Sequence, residues 1–300
     1  MAIIALMGPP GVGKSQMALT CLKKPLHVMD IDRKIRAMAT YRTAVEKGEV
    51  SFKEIGETIS EDGLSRRLKA LVENKKGDRP PRGWNNFANY CETADKDAQF
   101  LKAGTICLDS ATQLAPHLRA HIQFETGKGK FIWDAWSVWK ALWQETLTIL
   151  IDYCLSTATD GCKLDINKRQ LACEHGCPEK DLIVIFHERV SEKPSEGTTQ
   201  VRVTPSGEGG RTREYQGLMD VLICASIDGA FGLEFGTYFT DVYALRVDVD
   251  KNGTPEWVCR VHPDGQRDLR CSWPVKHHEF EPNFLRIKND VPPPKKENAK

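Results

Sequence analysis

The amino-acid sequence predicts an α/β fold in which a mostly parallel central sheet is flanked by helices and followed by a C-terminal antiparallel hairpin. Three observations predict it. Residues 1–19 read as a short apolar strand (2–7), a glycine-rich loop spelling G-x-x-x-x-G-K-S (8–15) and a helix-forming run. Two more apolar runs, 105–108 and 182–186, end on Asp109-Ser110 and on His187-Glu188-Arg189, as buried parallel strands with chemistry at their C-terminal ends do. Residues 238–249 and 256–261 alternate about the turn Asp250-Lys251-Asn252-Gly253.

The composition sets bounds. The 300 residues suffice for one large domain, expected over 1–270, with an extension at 271–300 that is disordered from about 290. With 42 basic and 41 acidic residues, net charge is +1, so any DNA contact must come from local patches. No apolar run approaches the ~20 residues of a membrane span, and the N-terminal run lacks a signal peptide's charged flank, so a cytoplasmic protein is expected. Ten cysteines then read as free thiols or metal ligands.

The loop carries the first chemistry. Glycines at 8, 11 and 13 allow successive N–H groups to turn toward phosphate oxygens, and the following helix presents its positive end. The expected cradle is Gly8, Pro9, Pro10, Gly11, Val12, Gly13, Lys14, Ser15 and Gln16. Lys14 would reach the β- and γ-phosphates and Ser15 would ligate Mg²⁺.

The helix at 15–23 stops before Pro25, and 26–29 reads as a second buried strand ending in Asp30-Ile31-Asp32. A carboxylate there orients or deprotonates an attacking water, with Asp32 the preferred base, or else caps the next helix in solvent. Helical spacing recurs at 33–46, 61–75 and 85–101, separated by a short strand at 50–55 and the loop GDRPPRG at 77–83. Asp109 is the expected partner of Ser15 on Mg²⁺.

The second half is more varied. GKGKF at 127–131 offers Lys128 and Lys130 to a nucleic-acid backbone, or is an exposed turn. Trp133, Trp136, Trp139 and Trp143 fall on one face of a helix running to about Leu155, a core or subunit-interface stripe in preference to a base-stacking platform. Cys154, Cys162, Cys173, His175 and Cys177 are enough soft ligands for Zn²⁺ in an insertion at 154–180, although paired C-x(2–4)-C knuckles are not present; the other reading is an unliganded surface excursion. His187, at the tip of the strand 182–186, is placed to sense a γ-phosphate, or is simply a satisfied polar group. The long polar segment 191–214 offers Lys193, Arg202, Arg211 and Arg213 to DNA phosphates, with a possible strand at 200–204, and 217–226 reads as another strand. Arg267 and Arg270 are candidates for a cation reaching a neighbouring subunit's nucleotide.

GPPGVGKS, DID, TICLDS and IVIFHER, in that order, resemble the RecA-like core of phage-encoded P-loop ATPases, among them the fourth Sak class of single-strand annealing proteins. The likeness runs over about 1–270. It implies a RecA-like core, Lys14 and Ser15 on Mg-ATP, Asp109 as the Walker B carboxylate and Asp32 near where the family places a catalytic glutamate. It also implies His187 as the sensor and two DNA-facing loops, after Asp109 and after His187. The cysteine-bearing insertion departs from the pattern. The function expected is ATP hydrolysis coupled to single-stranded DNA in phage recombination or replication, in a homo-oligomeric ring or filament, with a single-strand-binding protein as a further partner. The alternatives are a P-loop small-molecule kinase with Asp30 or Asp32 as base, and a nucleotide-gated loader with little turnover.

Overall fold

A computed structural model of the chain describes residues 1–55, 82–125, 133–155, 180–194, 199–205, 211–216, 219–226, 235–264 and 266–292. The described strands, numbered along the chain, are β1 (Ile3–Met7), β2 (Leu26–Asp30), β3 (Val50–Glu54), β4 (Thr105–Asp109), β5 (Asp181–Ile185), β6 (Glu188–Pro194), β7 (Thr199–Pro205), β8 (Arg211–Gln216), β9 (Met219–Ala225), β10 (Asp241–Val249), β11 (Pro255–Arg260) and β12 (Glu279–Phe280). Eight of them form one sheet in the order β12-β11-β10-β1-β5-β4-β2-β3. From β10 to β3 every pairing is parallel, while β11 and β12 add antiparallel at the other edge.

Every residue of β1, β2 and β4 is buried, because helices cover both faces. Successive side chains point to opposite faces of a strand, so β1 divides between two cores. Ile3, Ala5 and Met7 join a cluster with Phe87, Phe100, Leu118, Trp139 and Trp143, whereas Ile4 and Leu6 join Met17, Tyr41, Phe284 and Ile287. The first face is covered by α3 (Arg82–Thr93), α4 (Ala98–Lys102), α5 (Ala111–Glu125) and α6 (Trp133–Leu155); the second by α1 (Lys14–Ala18), α2 (Ala39–Glu46) and α7 (Phe284–Asn289). Residues of the predicted extension thus pack on the second core, where the Phe284 N–H donates to Thr20 Oγ1 at 3.0 Å.

Several expected helices are interrupted, each for a local reason. The first ends at Ala18 instead of Lys23, its last turn tightened by an Leu19 N–H to Gln16 carbonyl bond of 3.1 Å and a Thr20 hydroxyl bond of 2.8 Å to the Met17 carbonyl. The span 33–46 divides at the extended Met38 into a 3-10 turn, Ile35–Ala37, and α2. The span 85–101 divides at Asp97, whose Oδ1 accepts from the Gln99 and Phe100 N–H groups at 2.9 and 3.4 Å and so caps a new helix. Arg82 and Gly83, assigned to a loop, open α3 instead. The polar segment after residue 190 is not irregular: β6 pairs antiparallel with β9, and β7 with β8. The predicted helix 61–75, the GKGKF loop and most of the cysteine-bearing insertion lie outside the described residues.

Two tryptophans of the stripe are core. Trp139 and Trp143 are 1% and 0% exposed and meet edge to face with ring centroids 6.0 Å apart. Trp143→Ala should lower unfolding free energy by about 3–5 kcal/mol, the range for emptying a buried aromatic site. The half-buried Trp136, replaced in the same way, should lose clearly less; urea denaturation of the two variants makes the comparison.

Candidate functional site

The strand order builds the site. β5 lies between β1 and β4, and neighbouring strands are ~4.8 Å apart, so the loop after β1 and Asp109 at the end of β4 stand about 10 Å apart with His187 between them. Asp30, in register with Asp109, adds the tip of β2. Four adjacent parallel strands therefore each end on a polar group at one edge, where α/β sheets bind ligands.

The loop's shape needs its glycines. Gly8 has φ +150°, and a Cβ there would come within 2.3 Å of the Leu245 carbonyl oxygen on β10. Gly13, at φ +86°, turns the chain into α1. Lys14 is 5% exposed, and its Nζ donates to the carbonyls of Gly8 and Pro9 at 2.8 and 2.6 Å, holding the loop folded around its own ammonium. Burial, then the nearby Lys34, pushes the Lys14 ammonium down to about 8.

Ser15 Oγ donates to Asp109 Oδ2 at 2.5 Å, so the expected Mg²⁺ ligands already adjoin. Both are oxygen donors, and the pair suits a cation that takes one or two protein oxygens and fills its remaining positions with water and phosphate. Beneath them the buried Tyr41 hydroxyl donates to the Ser15 carbonyl at 2.7 Å. Asp109 is fully buried, and its second oxygen lies 3.1 Å from Lys34 Nζ, which also pairs with Asp32 Oδ2 at 2.8 Å. Burial alone would depress the Lys34 ammonium, but Asp109 and Asp32 outweigh it and hold it above the ordinary value. Asp32 also accepts from Ser110 Oγ at 3.4 Å. Asp30 takes the Ile35 N–H at 3.0 Å, and its carboxyl is pushed up to about 6 by burial, opposed by that bond and reinforced by Asp109.

His187 is half-buried. Its backbone N–H donates to Thr112 Oγ1 at 2.9 Å, tying the tip of β5 to the start of α5, and its imidazole is held below the ordinary value by burial and then by Lys14. Its carbonyl accepts from the Ser226 N–H at 2.6 Å, and the Glu188 N–H reaches the Gly8 carbonyl at 3.3 Å. The root of β6 is thereby tied to the phosphate loop.

The remaining expected residues are more scattered. Arg267, considered for a neighbouring subunit, is engaged within its own chain: its guanidinium bonds to Glu188 at 2.8 and 3.3 Å and to Asp264 at 2.6 Å. Two mostly buried acids would have to be abandoned for it to reach outward. Arg270 pairs with the exposed Asp268 at 2.5 Å. Lys193 lies on β6, Arg202 on β7, and Arg211 and Arg213 on β8; Lys128 and Lys130 lie outside the described residues. Cys154 is 0% exposed within the first core, and burial pushes its thiol up to about 12, away from the thiolate that zinc requires. Cys162, Cys173, His175 and Cys177 lie outside the described residues, among which no group of three or more His, Cys, Asp or Glu is arranged to hold a metal. No helix among the described residues is long and apolar enough to cross a membrane. Sequence reasoning missed Lys34 and the Glu188–Arg267 pair. Lys34 stands two residues past Asp32 in a basic run where nothing in the spacing singles it out.

No family model matches the chain, and no curated protein matches it. Among solved structures, the flagellar accessory protein FlaH from Methanocaldococcus jannaschii is similar over 86% of this chain and 76% of its own, at 10% identity and a TM-score of 0.35. So loose a superposition carries no argument about fold or function.

A phosphate beside Lys14 restores its ordinary basicity. A nucleotide bound there should therefore take up a proton at Lys14 between about pH 8 and 10, where the depressed ammonium has lost much of its own, and close to none near pH 6. Calorimetric titrations in buffers of different ionisation enthalpy measure this, and Lys14→Met should abolish it.

Proposed function

We propose that this chain is a RecA-like P-loop ATPase that binds Mg-ATP at residues 8–16 and uses it to control a grip on single-stranded DNA. In this reading it works as a homo-oligomer, ring or filament, in strand annealing or recombination during phage replication, alongside a single-strand-binding protein. The carrying observation is Ser15 bonded to Asp109 at 2.5 Å beside the buried Lys14, with His187 just past the end of β5, the strand between β1 and β4.

The chemistry follows from those positions. Backbone N–H groups of the loop and Lys14 would hold the β- and γ-phosphates while water attacks the γ-phosphorus in line and ADP leaves. Ser15 and Asp109 would hold Mg²⁺, which when bound supplies positive charge across the phosphates. His187 would register the γ-phosphate and pass its presence into β6, whose first N–H is bonded to the Gly8 carbonyl. Lys193, Arg202, Arg211 and Arg213 lie on the strands that follow and are the DNA-contact candidates; Arg270 is the more available of the two arginines for a neighbour. The alternative of a small-molecule kinase would use Asp30 or Asp32 as base for a hydroxyl acceptor.

Single-strand binding with ATP, with ADP and without nucleotide tests the coupling. ATP should tighten binding about tenfold or more relative to no nucleotide, a coupling of ~1.4 kcal/mol. Lys14→Ala should remove both that gain and ATP hydrolysis. DNA binding indifferent to ATP would sink the coupling, and ATP turnover stimulated by a nucleoside instead of DNA would favour the kinase.

A further inference from the structure

Lys34 does something at this site beyond what the phosphate-loop pattern requires. It follows Arg33, which holds φ +56°, and precedes Ile35, whose N–H is bonded to Asp30 Oδ2 at 3.0 Å. That turn brings Lys34 Nζ to 2.8 Å from Asp32 Oδ2 and 3.1 Å from Asp109 Oδ1. The other oxygen of Asp109 takes the Ser15 hydroxyl at 2.5 Å. Both oxygens of a fully buried carboxylate are thus engaged, one of them by a full positive charge.

Electrostatics makes that charge conditional. An uncompensated carboxylate in a buried position is strongly unfavourable, so in the absence of a metal Asp109 needs a counterion. A divalent cation held by Ser15 and Asp109 would supply the compensation itself and would repel an ammonium at the same oxygen. The Lys34 side chain is 37% exposed on a four-carbon stem, so its ammonium can leave these partners without unpacking the core. The terminal phosphate that accompanies the metal is a nearby group of opposite sign.

We propose that Lys34 is an exchangeable counterion, neutralising Asp109 in the metal-free protein and passing to the terminal phosphate when Mg-nucleotide binds. This rests on the nucleotide-binding reading above. It assigns Lys34 two measurable roles: it competes with Mg²⁺, and it discriminates triphosphate from diphosphate. It is a positioning and specificity residue, separate from Lys14.

Fluorescent ATP and ADP analogues, titrated against Mg²⁺ with wild type, Lys34→Gln and Lys34→Arg, test it. Glutamine keeps an N–H for Asp109 but no charge; arginine keeps the charge and grips two carboxylates with a fork that releases them less readily. In Lys34→Gln the Mg²⁺ concentration giving half-saturation should fall about threefold or more, and the preference for ATP over ADP should shrink by roughly tenfold. In Lys34→Arg the half-saturating Mg²⁺ should rise instead. Melting without nucleotide gives a second readout: Lys34→Gln should melt below wild type without Mg²⁺ and regain most of the difference when Mg²⁺ is added. Half-saturation unmoved in both variants, or a movement in the same direction in both, overturns the proposal while leaving nucleotide binding intact. If Lys34→Gln does not fold, an unchanged half-saturation in Lys34→Arg alone overturns it. Wild type that binds neither analogue, or binds them equally after Lys14→Ala, overturns the nucleotide reading and this inference with it.

Discussion

A carboxylate buried at the C-terminal tip of an interior strand is tolerable only if its surroundings answer its charge, and much of the site is arranged to answer Asp109. The Ser15 hydroxyl comes from the first turn of α1, the Lys34 ammonium from the turn after β2. These contacts bring together the loop after β1, the turn after β2 and the end of β4. They also set electrostatic neighbours for one another: Asp109 raises Asp30 and supports Lys34, while Lys34 helps depress Lys14. The site behaves as one coupled set of charges, and any ligand entering it meets the whole set.

The strand order does the equivalent work for the backbone. With β5 inserted between β1 and β4, the gap between phosphate loop and acid is filled by a residue whose main chain is bonded on both sides. His187 is tied to α5 through its N–H and to Ser226 through its carbonyl. Both β6 and β9 are therefore anchored at the tip of β5.

Much of the fold was legible because it depends on local rules. Fully buried parallel strands betray themselves as apolar runs ending in an acid or a histidine, and the glycine-rich loop between an apolar run and a helix-forming run announced the strand, loop and helix seen at β1 and α1. The tryptophans at steps of three and four could be read as core because a stripe of that size must be covered. What was not legible depends on contacts across the chain. The breaks at Met38 and Asp97 come from capping geometry inside otherwise helical spacing, and the segment after residue 190 looked irregular because its order lies in the pairing of β6 with β9 and of β7 with β8, which spacing does not reveal. Lys34 was invisible for the same reason: its meaning is a distance to Asp109, seventy-five positions away in the chain. Cys154 reads as a ligand in sequence and as packing in three dimensions, because only burial tells the two apart.

The pairing of β1 has a consequence for synthesis. β1 is made before both of its neighbours, β5, which it meets through Ile3 and Leu182, and β10, through Ile4 and Asp241. Gly8 is packed against the Leu245 carbonyl, so the floor of this loop comes from β10, far along the chain. A nascent chain on the ribosome therefore carries the complete G-x-x-x-x-G-K-S motif through the synthesis of everything between it and β10 before that contact can form. Closing contacts of such sequence separation is slow, and the newborn polypeptide must keep an apolar strand from wrong partners until β5 and β10 emerge.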